Sequence, residues 1–512
     1  MRQHHLLYFL AAASAAIPAE AAGQRPDIIL FMVDDMGWQD TSVPFADSVT
    51  TYNRTYHTPN MERLAAKGMK FTQAYACAIS SPSRCSLLTG ANNARHRVTN
   101  WTLRQNESTD LQREGIILPD WNINGISPVS GTPATYVGDS FVEHLRRNGY
   151  RTIHVGKAHF GAIGTPGEYP EAWGFDTNIA GHAAGGLATY LSELNYGHDA
   201  DGNPVSPMAV PGLEKYWGSG TFVTEALTRE AIRTLTDSRD SGSPYFLYMS
   251  HYAVHIPIDR DPRFYDRYIA EGLTPKEAAY ASLVEGMDKS LGDIMDWVET
   301  YGRPDNTIII FMSDNGGLAT QPDWRDGALY SQNAPLRCGK GSLLEGGIRE
   351  PMIVSWPGVT EAGSATDRIV MIEDFYPSIL EMAGAEWNEN PERPVDGISF
   401  VPLLRSGVPL TETDRDLIWN FPNVWGNDGP GINLVTAIRR GPWKLIYHYD
   451  TGQKELYNIP DDISELNDLS ELKPEIVRDL SQRLGRRLRE VNADRPSFEA
   501  TGQPCLWPDE TD

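Results

Sequence analysis

The chain has 512 residues, of which 40% are apolar and 22% charged, a composition that supports a large buried core and is unlike that of a disordered chain. Its 68 acidic residues against 44 basic ones leave a net charge of −24, which argues against a sequence-independent grip on a nucleic-acid backbone over most of the surface. Four cysteines, Cys77, Cys85, Cys338 and Cys505, are too few for a disulfide-built scaffold and lack zinc-finger spacing, though one or two bridges are open to them.

Arg2 and two histidines precede an apolar run from Leu6 to about Ala16 and a small-x-small pattern, Ala19-Glu20-Ala21. This pattern predicts an export signal over residues 1–22, cleaved near Ala21, and a periplasmic or extracellular protein. The run is too short to span ~30 Å of hydrocarbon, and no later segment is long enough, so stable membrane insertion is not expected. Short apolar runs then read as buried strands: Ile28 to Val33, Thr152 to Val155, Phe246 to Met249, Ile308 to Met312 and Met352 to Ser355. Helical periodicity covers Asn60 to Lys67, Phe141 to Asn148 and Ala278 to Thr300. The alternation predicts an α/β fold with a large mixed, mostly parallel sheet flanked by helices, over residues 23–405. Past Asp396-Gly397 the segments Leu417 to Asn420, Val435 to Arg439, Trp443 to Tyr449 and Lys454 to Tyr457 read as short antiparallel strands, followed by a charged helix from Pro474 to Glu490. Residues 406–512 are therefore expected to form a smaller C-terminal α+β subdomain.

Polar residues follow four of the predicted strands at once: Asp34 and Asp35, Lys157 and His159, His251 and His255, Asp314 and Asn315. Ligands of open α/β sheets sit outside the carboxyl ends of the strands, so these sets can converge on one crevice. Asp34, Asp35, Asp314 and Asn315 are hard oxygen donors that suit calcium or magnesium. Either pair alone would pass for a helix cap or a turn; two pairs at equivalent strand ends point to a metal. His251, as a single histidine, reads as a core or surface residue.

The most specific string is Ser80-Ser81-Pro82-Ser83-Arg84-Cys85-Ser86-Leu87-Leu88-Thr89-Gly90. Physically it is a helix start whose free N–H groups attract an anion, with Arg84 adding a fixed guanidinium and Gly90 ending the helix. It resembles the signature of the formylglycine-dependent sulfatases, of the alkaline phosphatase-like superfamily, in which the first residue is oxidised. On that pattern Ser80 is the modified position, and Cys77, which lacks a proline two residues on, does not fit the register. The resemblance extends through Val33-Asp34-Asp35-Met36-Gly37, Gly156-Lys157-Ala158-His159, Ser313-Asp314-Asn315-Gly316, Gly339-Lys340-Gly341, Glu345-Gly346-Gly347-Ile348-Arg349 and Asp396-Gly397, nearly the whole mature chain.

The resemblance implies one calcium ion held by Asp34, Asp35, Asp314, Asn315 and the modified Ser80, the latter as 3-oxoalanine. It implies that Arg84 and Lys157 hold the nucleophile's oxygen, that His159 is the base, and that His255 and Lys340 bind sulfate and protonate the departing oxygen. Glu345 and Arg349 are expected to pair and shape their loop. Ser80 in place of cysteine resembles the bacterial serine-type branch and implies a radical S-adenosylmethionine maturase as a biosynthetic partner. Glu350 stands where the family is usually apolar. The segment from Ala91 to about Tyr136, with Asn92, Asn93, Arg95, His96, Arg97, Trp101 and Arg104, is a candidate substrate rim, and His182 a candidate subsite residue. The function expected is an exo-acting sulfatase on a sulfated carbohydrate. The alternatives are a phosphonate or phosphate ester hydrolase of the same superfamily, and an inert sulfated-glycan-binding protein.

Overall fold

The computed structural model describes residues 25–318, 332–405 and 415–511. The expected signal over 1–22 and the expected boundary at 406 both lie outside the described residues. The main sheet has nine strands: β1 (Asp27–Val33), β2 (Met69–Tyr75), β3 (Arg151–Gly156), β4 (Thr177–Ile179), β5 (Tyr245–Ser250), β6 (Thr307–Ser313), β7 (Arg349–Ser355), β8 (Ser364–Thr366) and β9 (Val370–Met371). Their order is β8-β2-β7-β6-β1-β5-β3-β4, with β9 also on β2. All neighbours are parallel except β7, which runs antiparallel to both β6 and β2. The strand β2 carries only a weak apolar alternation, Met-Lys-Phe-Thr-Gln-Ala-Tyr, and was not among the strands expected.

Both faces of the sheet are covered. Ile29, Phe31 and Val33 of β1 pack under α1 (Pro59–Lys67) and the long helices Val223–Arg239 and Pro275–Tyr301. Ile28, Leu30 and Met32 face helices Ser80–Thr89, Phe141–Arg147 and Phe375–Met382. This explains why the central strands read as unbroken apolar runs: a parallel strand has no solvent face on which to place polar residues.

Register brings the strand ends level. Val33 pairs with Ser313, Met32 with Ser250 and Gly156 with Ser250, so β6, β1, β5 and β3 release their chains side by side. The carboxyl ends of four adjacent parallel strands therefore form one ledge.

A second, four-stranded antiparallel sheet, Leu417–Phe421, Val435–Arg440, Trp443–His448 and Lys454–Asn458, is backed by helix Pro474–Glu490, whose Leu480, Leu484 and Leu488 cover one face. Its other face, with Trp419, Val435 and Ile446, packs on Ala78, Ile79, Leu343 and Leu344. The joint also contains a buried ionic network. Glu345 takes Lys444 at 3.1 Å, Arg349 at 3.2 Å and the Tyr75 hydroxyl at 2.6 Å, and Lys444 reaches Glu465 at 2.9 Å. Glu345 and Arg349 thus pair within their loop as expected, and the smaller sheet supplies the remaining partners. Burial alone would raise the Glu345 carboxyl, but Lys444, Arg439 and Arg349 outweigh it and hold it below the usual range.

All four cysteines are buried free thiols. Among the described residues, no helix is long and apolar enough to cross a membrane.

Removing Lys444 leaves Glu345 and Glu465 facing each other without solvent, so Lys444→Met should lower stability by ~3–5 kcal/mol. Denaturant unfolding followed by fluorescence checks this, and an unchanged midpoint would count against the network. A second expectation concerns acid. Burial pushes His96, His154 and His251 from 6.5 to about 3. The unfolded chain takes up these protons near 6.5 and the folded chain only near 3, so stability is full above that window and is lost as pH falls through it. Each ring should cost about 2 kcal/mol by about pH 5, and His251→Gln should flatten the slope of unfolding free energy against pH by one ring's share.

Candidate active site

Helix Ser80–Thr89 opens on the ledge. Ser83 Oγ accepts from the Cys77 N–H at 3.0 Å and lies 3.1 Å from the Ile79 carbonyl, which fixes the turn that delivers Ser80. At the other end Gly90 adopts φ +69 and its N–H closes on the Ser86 carbonyl, a left-handed terminus open to glycine. Arg84 lies one turn on from Ser80, on the same face.

Asp34, Asp35 and Asp314 bring carboxylate oxygens within 4.8 Å of one another, all buried. Each has its own cation. Lys157 Nζ donates to both Asp34 oxygens at 2.8 Å, Arg84 holds Asp314 at 2.8–2.9 Å, and Lys340 Nζ reaches Asp35 at 2.7 and 2.9 Å. Ser80 Oγ lies at the centre, 2.9 Å from Lys157 Nζ, 3.2 Å from Asp34 Oδ1 and 3.1 Å from Asn315 Oδ1. Asp35 has φ +61 and His159 φ +59, conformations that non-glycine residues seldom adopt and that fold each chain back as it leaves its strand.

Burial, only partly offset by Lys157, and the charges of Asp314 and Asp35 push Asp34 up. Burial also acts on Asp35 and Asp314, but Lys340 beside the first and Arg84 beside the second hold them below the ordinary range. Three carboxylates and an amide oxygen, with no thiolate or imidazole within the cluster, are the donor chemistry of a hard divalent cation. Such an ion would keep all three acids ionised.

The two histidines differ in which nitrogen is free. His159 Nε2 lies 2.9 Å from the Thr102 carbonyl and 2.8 Å from Ser81 Oγ. A carbonyl only accepts, so Nε2 carries the proton and Nδ1, buried without a hydrogen-bond partner, is the basic atom. Burial and the charges of Lys157 and Arg84 keep this ring neutral. His255 donates Nδ1–H to the Ile256 carbonyl at 2.7 Å, leaving Nε2 3.8 Å from Asp35; burial and Lys340 take it to about 3. Asp35 and Asp34 outweigh the burial of Lys340 and raise it, so Lys340 stays protonated.

Ser80, Asp35, His159, His255 and Lys340 all line one cavity of about 490 Å³, whose walls include Trp101, Met208, Leu187, Pro257 and Trp425. Arg84, Lys157, Asp34 and Asp314 lie beneath its floor, fully buried. Of the expected rim, Trp101 reaches the cavity. Asn92 and Asn93 instead bond the carbonyls of Ile418 and Asn420, Arg95 pairs with Asp396, Arg97 with Asp494, and His96 bonds Ser86. His251 lies in the core against Phe31 and Ser290, and His182 offers its carbonyl, which accepts the His159 N–H. Cys77 is buried in the apolar cluster below the helix. Glu350 is fully buried with neither carboxyl oxygen partnered, and burial together with Asp314 and Asp35 pushes it far up into the neutral acid.

Sequence reasoning did not find Gly185, Gly186 or Trp425. A Cβ on Gly185 would come within 2.1 Å of the His159 ring, and one on Gly186 within 2.9 Å of His255. The Gly-Gly pair was visible in sequence, but nothing local says which rings it faces. Trp425 lies 84 residues past Gly341, against which its ring packs.

A mostly parallel α/β sheet that gathers three carboxylates and their cations around a serine at a helix start defines a hydrolase of the alkaline phosphatase-like superfamily. The sulfatase family profile matches residues 26–385, and that of the N-sulphoglucosamine sulphohydrolase C-terminal region matches residues 339–494. A sulfatase of Formosa agariphila is 30% identical, covering 91% of this chain and 89% of its own length. N-acetylgalactosamine-6-sulfatase of Mus musculus is 25% identical over 96% of this chain and 94% of its own. The crystal structure of Ps i-CgsB in complex with k-i-k-neocarrahexaose superposes with a TM-score of 0.71 at 26% identity, covering 91% of this chain and 93% of that one. The chain belongs to the sulfatase family and is a sulfuric ester hydrolase.

The close approach of Gly185 to His159 gives a direct test. Gly185→Ala should displace the ring and cut kcat at least roughly ten-fold while the thermal midpoint stays near that of the parent, read by sulfate release and calorimetry. Unchanged turnover would show that the ring's placement does not matter.

Proposed function

We propose that the chain is an exported enzyme that removes sulfate from a carbohydrate ester at an exposed terminal sugar, with Ser80 oxidised to formylglycine by a radical S-adenosylmethionine maturase. Residues 1–22 act as the export signal, 23–405 as the catalytic unit and 406–512 as its C-terminal support. The observation that carries this reading is Ser80 Oγ, held by Lys157 Nζ in a cavity also lined by His159, whose buried Nδ1 has no hydrogen-bond partner.

Asp34, Asp35, Asp314 and Asn315 are suited to hold one calcium ion with residue 80. A bound dication would offset charge on the sulfate oxygens, and a hydrated aldehyde would offer a more acidic hydroxyl than serine's own. The rest falls to side chains of this chain. Lys157 Nζ and Arg84, fixed and buried, supply positive charge where the nucleophile's oxygen sits. Lys340 keeps its proton beside Asp35 and is the group ready to protonate the departing sugar oxygen. His255 also lines this space, and its Nε2 can donate to a sulfate oxygen only after taking up a proton, because sulfate offers acceptors alone. His159 Nδ1 accepts the proton whose removal frees sulfate, and its neutral state suits it to that task.

Coexpression with a serine-type maturase should give a Ser80 peptide lighter by two hydrogens, and the protein should release sulfate from a sulfated sugar. Ser80→Ala should fall to background on every ester. Unmodified serine beside an active maturase, or release by the Ser80→Ala variant, would sink the mechanism.

A further inference from the structure

Among the described residues, the cavity is lined mostly by apolar groups. Asp35, Ser80, His159, His255 and Lys340 are its polar lining residues, and the rest of the described lining is apolar, with Trp101, Trp425, Met208, Leu187 and Pro257 among it. Among the described lining residues Lys340 is the one Lys or Arg, and it is already engaged by Asp35 at 2.7 Å. The Trp425 ring and the backbones of both tryptophans are held by their surroundings. The Trp425 ring abuts Gly341, where a Cβ would come within 2.4 Å, and its backbone N–H donates to Asn433 Oδ1 at 2.9 Å. The Trp101 N–H donates to Asn100 Oδ1 at 2.9 Å and its carbonyl accepts from Thr109 at 2.6 Å.

A neutral pyranose can lay a C–H-rich face on an indole and lose little, since aromatic walls recover dispersion and area without requiring hydrogen bonds. A ring carrying a second sulfate or a carboxylate would bring a further charge into an apolar wall, in a chain of net charge −24, where a buried charge without a partner is costly. We infer that the sugar bearing the scissile ester is monosulfated and otherwise uncharged, and that Trp101 and Trp425 are specificity-determining residues that select it by contact with its ring faces. This rests on the carbohydrate sulfatase reading above and narrows it to one substrate class.

The test uses the full chain expressed without a maturase, so that Ser80 persists and binding is read without turnover. Calorimetric titration is run with the regioisomeric monosulfates of galactose and of glucose, each beside its disulfate and beside the matching uronic acid sulfate. The tightest ligand should be a monosulfate, with its disulfate and uronate counterparts at least roughly ten-fold weaker. Trp101→Ala and Trp425→Ala should each weaken it by roughly ten-fold, and Trp101→Phe and Trp425→Phe should retain most of the affinity, with thermal midpoints confirming that all four variants fold. A disulfate or uronate as the best ligand, no binding by any monosulfate, or alanine variants that bind like the parent would overturn the inference. Sulfate release by the matured enzyme is scored separately. Release from charged sugars in preference to neutral ones would overturn the clamp and leave the sulfatase mechanism standing, whereas a formylglycine-bearing enzyme that cleaves no ester would overturn the mechanism whatever the binding data say.

Discussion

Three carboxylates are forced together without solvent at the ends of two adjacent strands, and the rest of the site answers that constraint. Asp34 and Asp314 sit level because Val33 and Ser313 share a register position, and Asp35 follows directly. So much negative charge at such separation is tolerable only with compensation, and each acid has a cation from a different part of the chain: Lys157 beyond β3, Arg84 from the helix that starts at Ser80, and Lys340 from the loop before β7. Satisfying the carboxylates therefore assembles three cations around Ser80.

The smaller sheet takes part in this assembly. Its apolar face packs on Ala78 and Ile79, immediately before Ser80, and Lys444 and Arg439 meet Glu345, in the loop that carries Lys340. It also sends Trp425 into the cavity wall. The smaller sheet thus supports the turn before Ser80 and the segment that carries Lys340, and its Trp425 lines the cavity they share. Burial makes these contacts stiff, because a charged group in the joint has no water to turn to if its partner moves.

Proton positions follow from the same geometry. A carbonyl beside each histidine dictates its tautomer: Thr102 fixes the proton of His159 on Nε2, and Ile256 fixes that of His255 on Nδ1. Lys340 meanwhile is held charged by the acid it neutralises. The cavity is consequently lined by two neutral imidazoles and one charged lysine, with their states set by neighbours and not by the solution outside.

Much of this was legible in the sequence. The central strands are fully buried and so announce themselves as Val, Ile, Leu and Phe runs, and the residues after them carry functional chemistry because strand ends are where a parallel sheet meets solvent and ligand. The string from Ser80 to Gly90 is local, one helix start and one helix end, and local patterns survive in one dimension. Strand β2 escaped because its alternation is diluted by Lys70, Thr72 and Gln73, and its place beside β7 depends on pairing that no local pattern records. His96 and Asn92 look like binding groups in sequence yet serve as buried supports, because a polar side chain reads the same whether its partner is a ligand or a backbone carbonyl. What the sequence by itself determined was the fold class, the ledge and the kinds of atoms on it. Which cation meets which acid, which histidine nitrogen is free and which tryptophans line the cavity were decided only by tertiary structure, since each depends on contacts between segments tens to hundreds of residues apart.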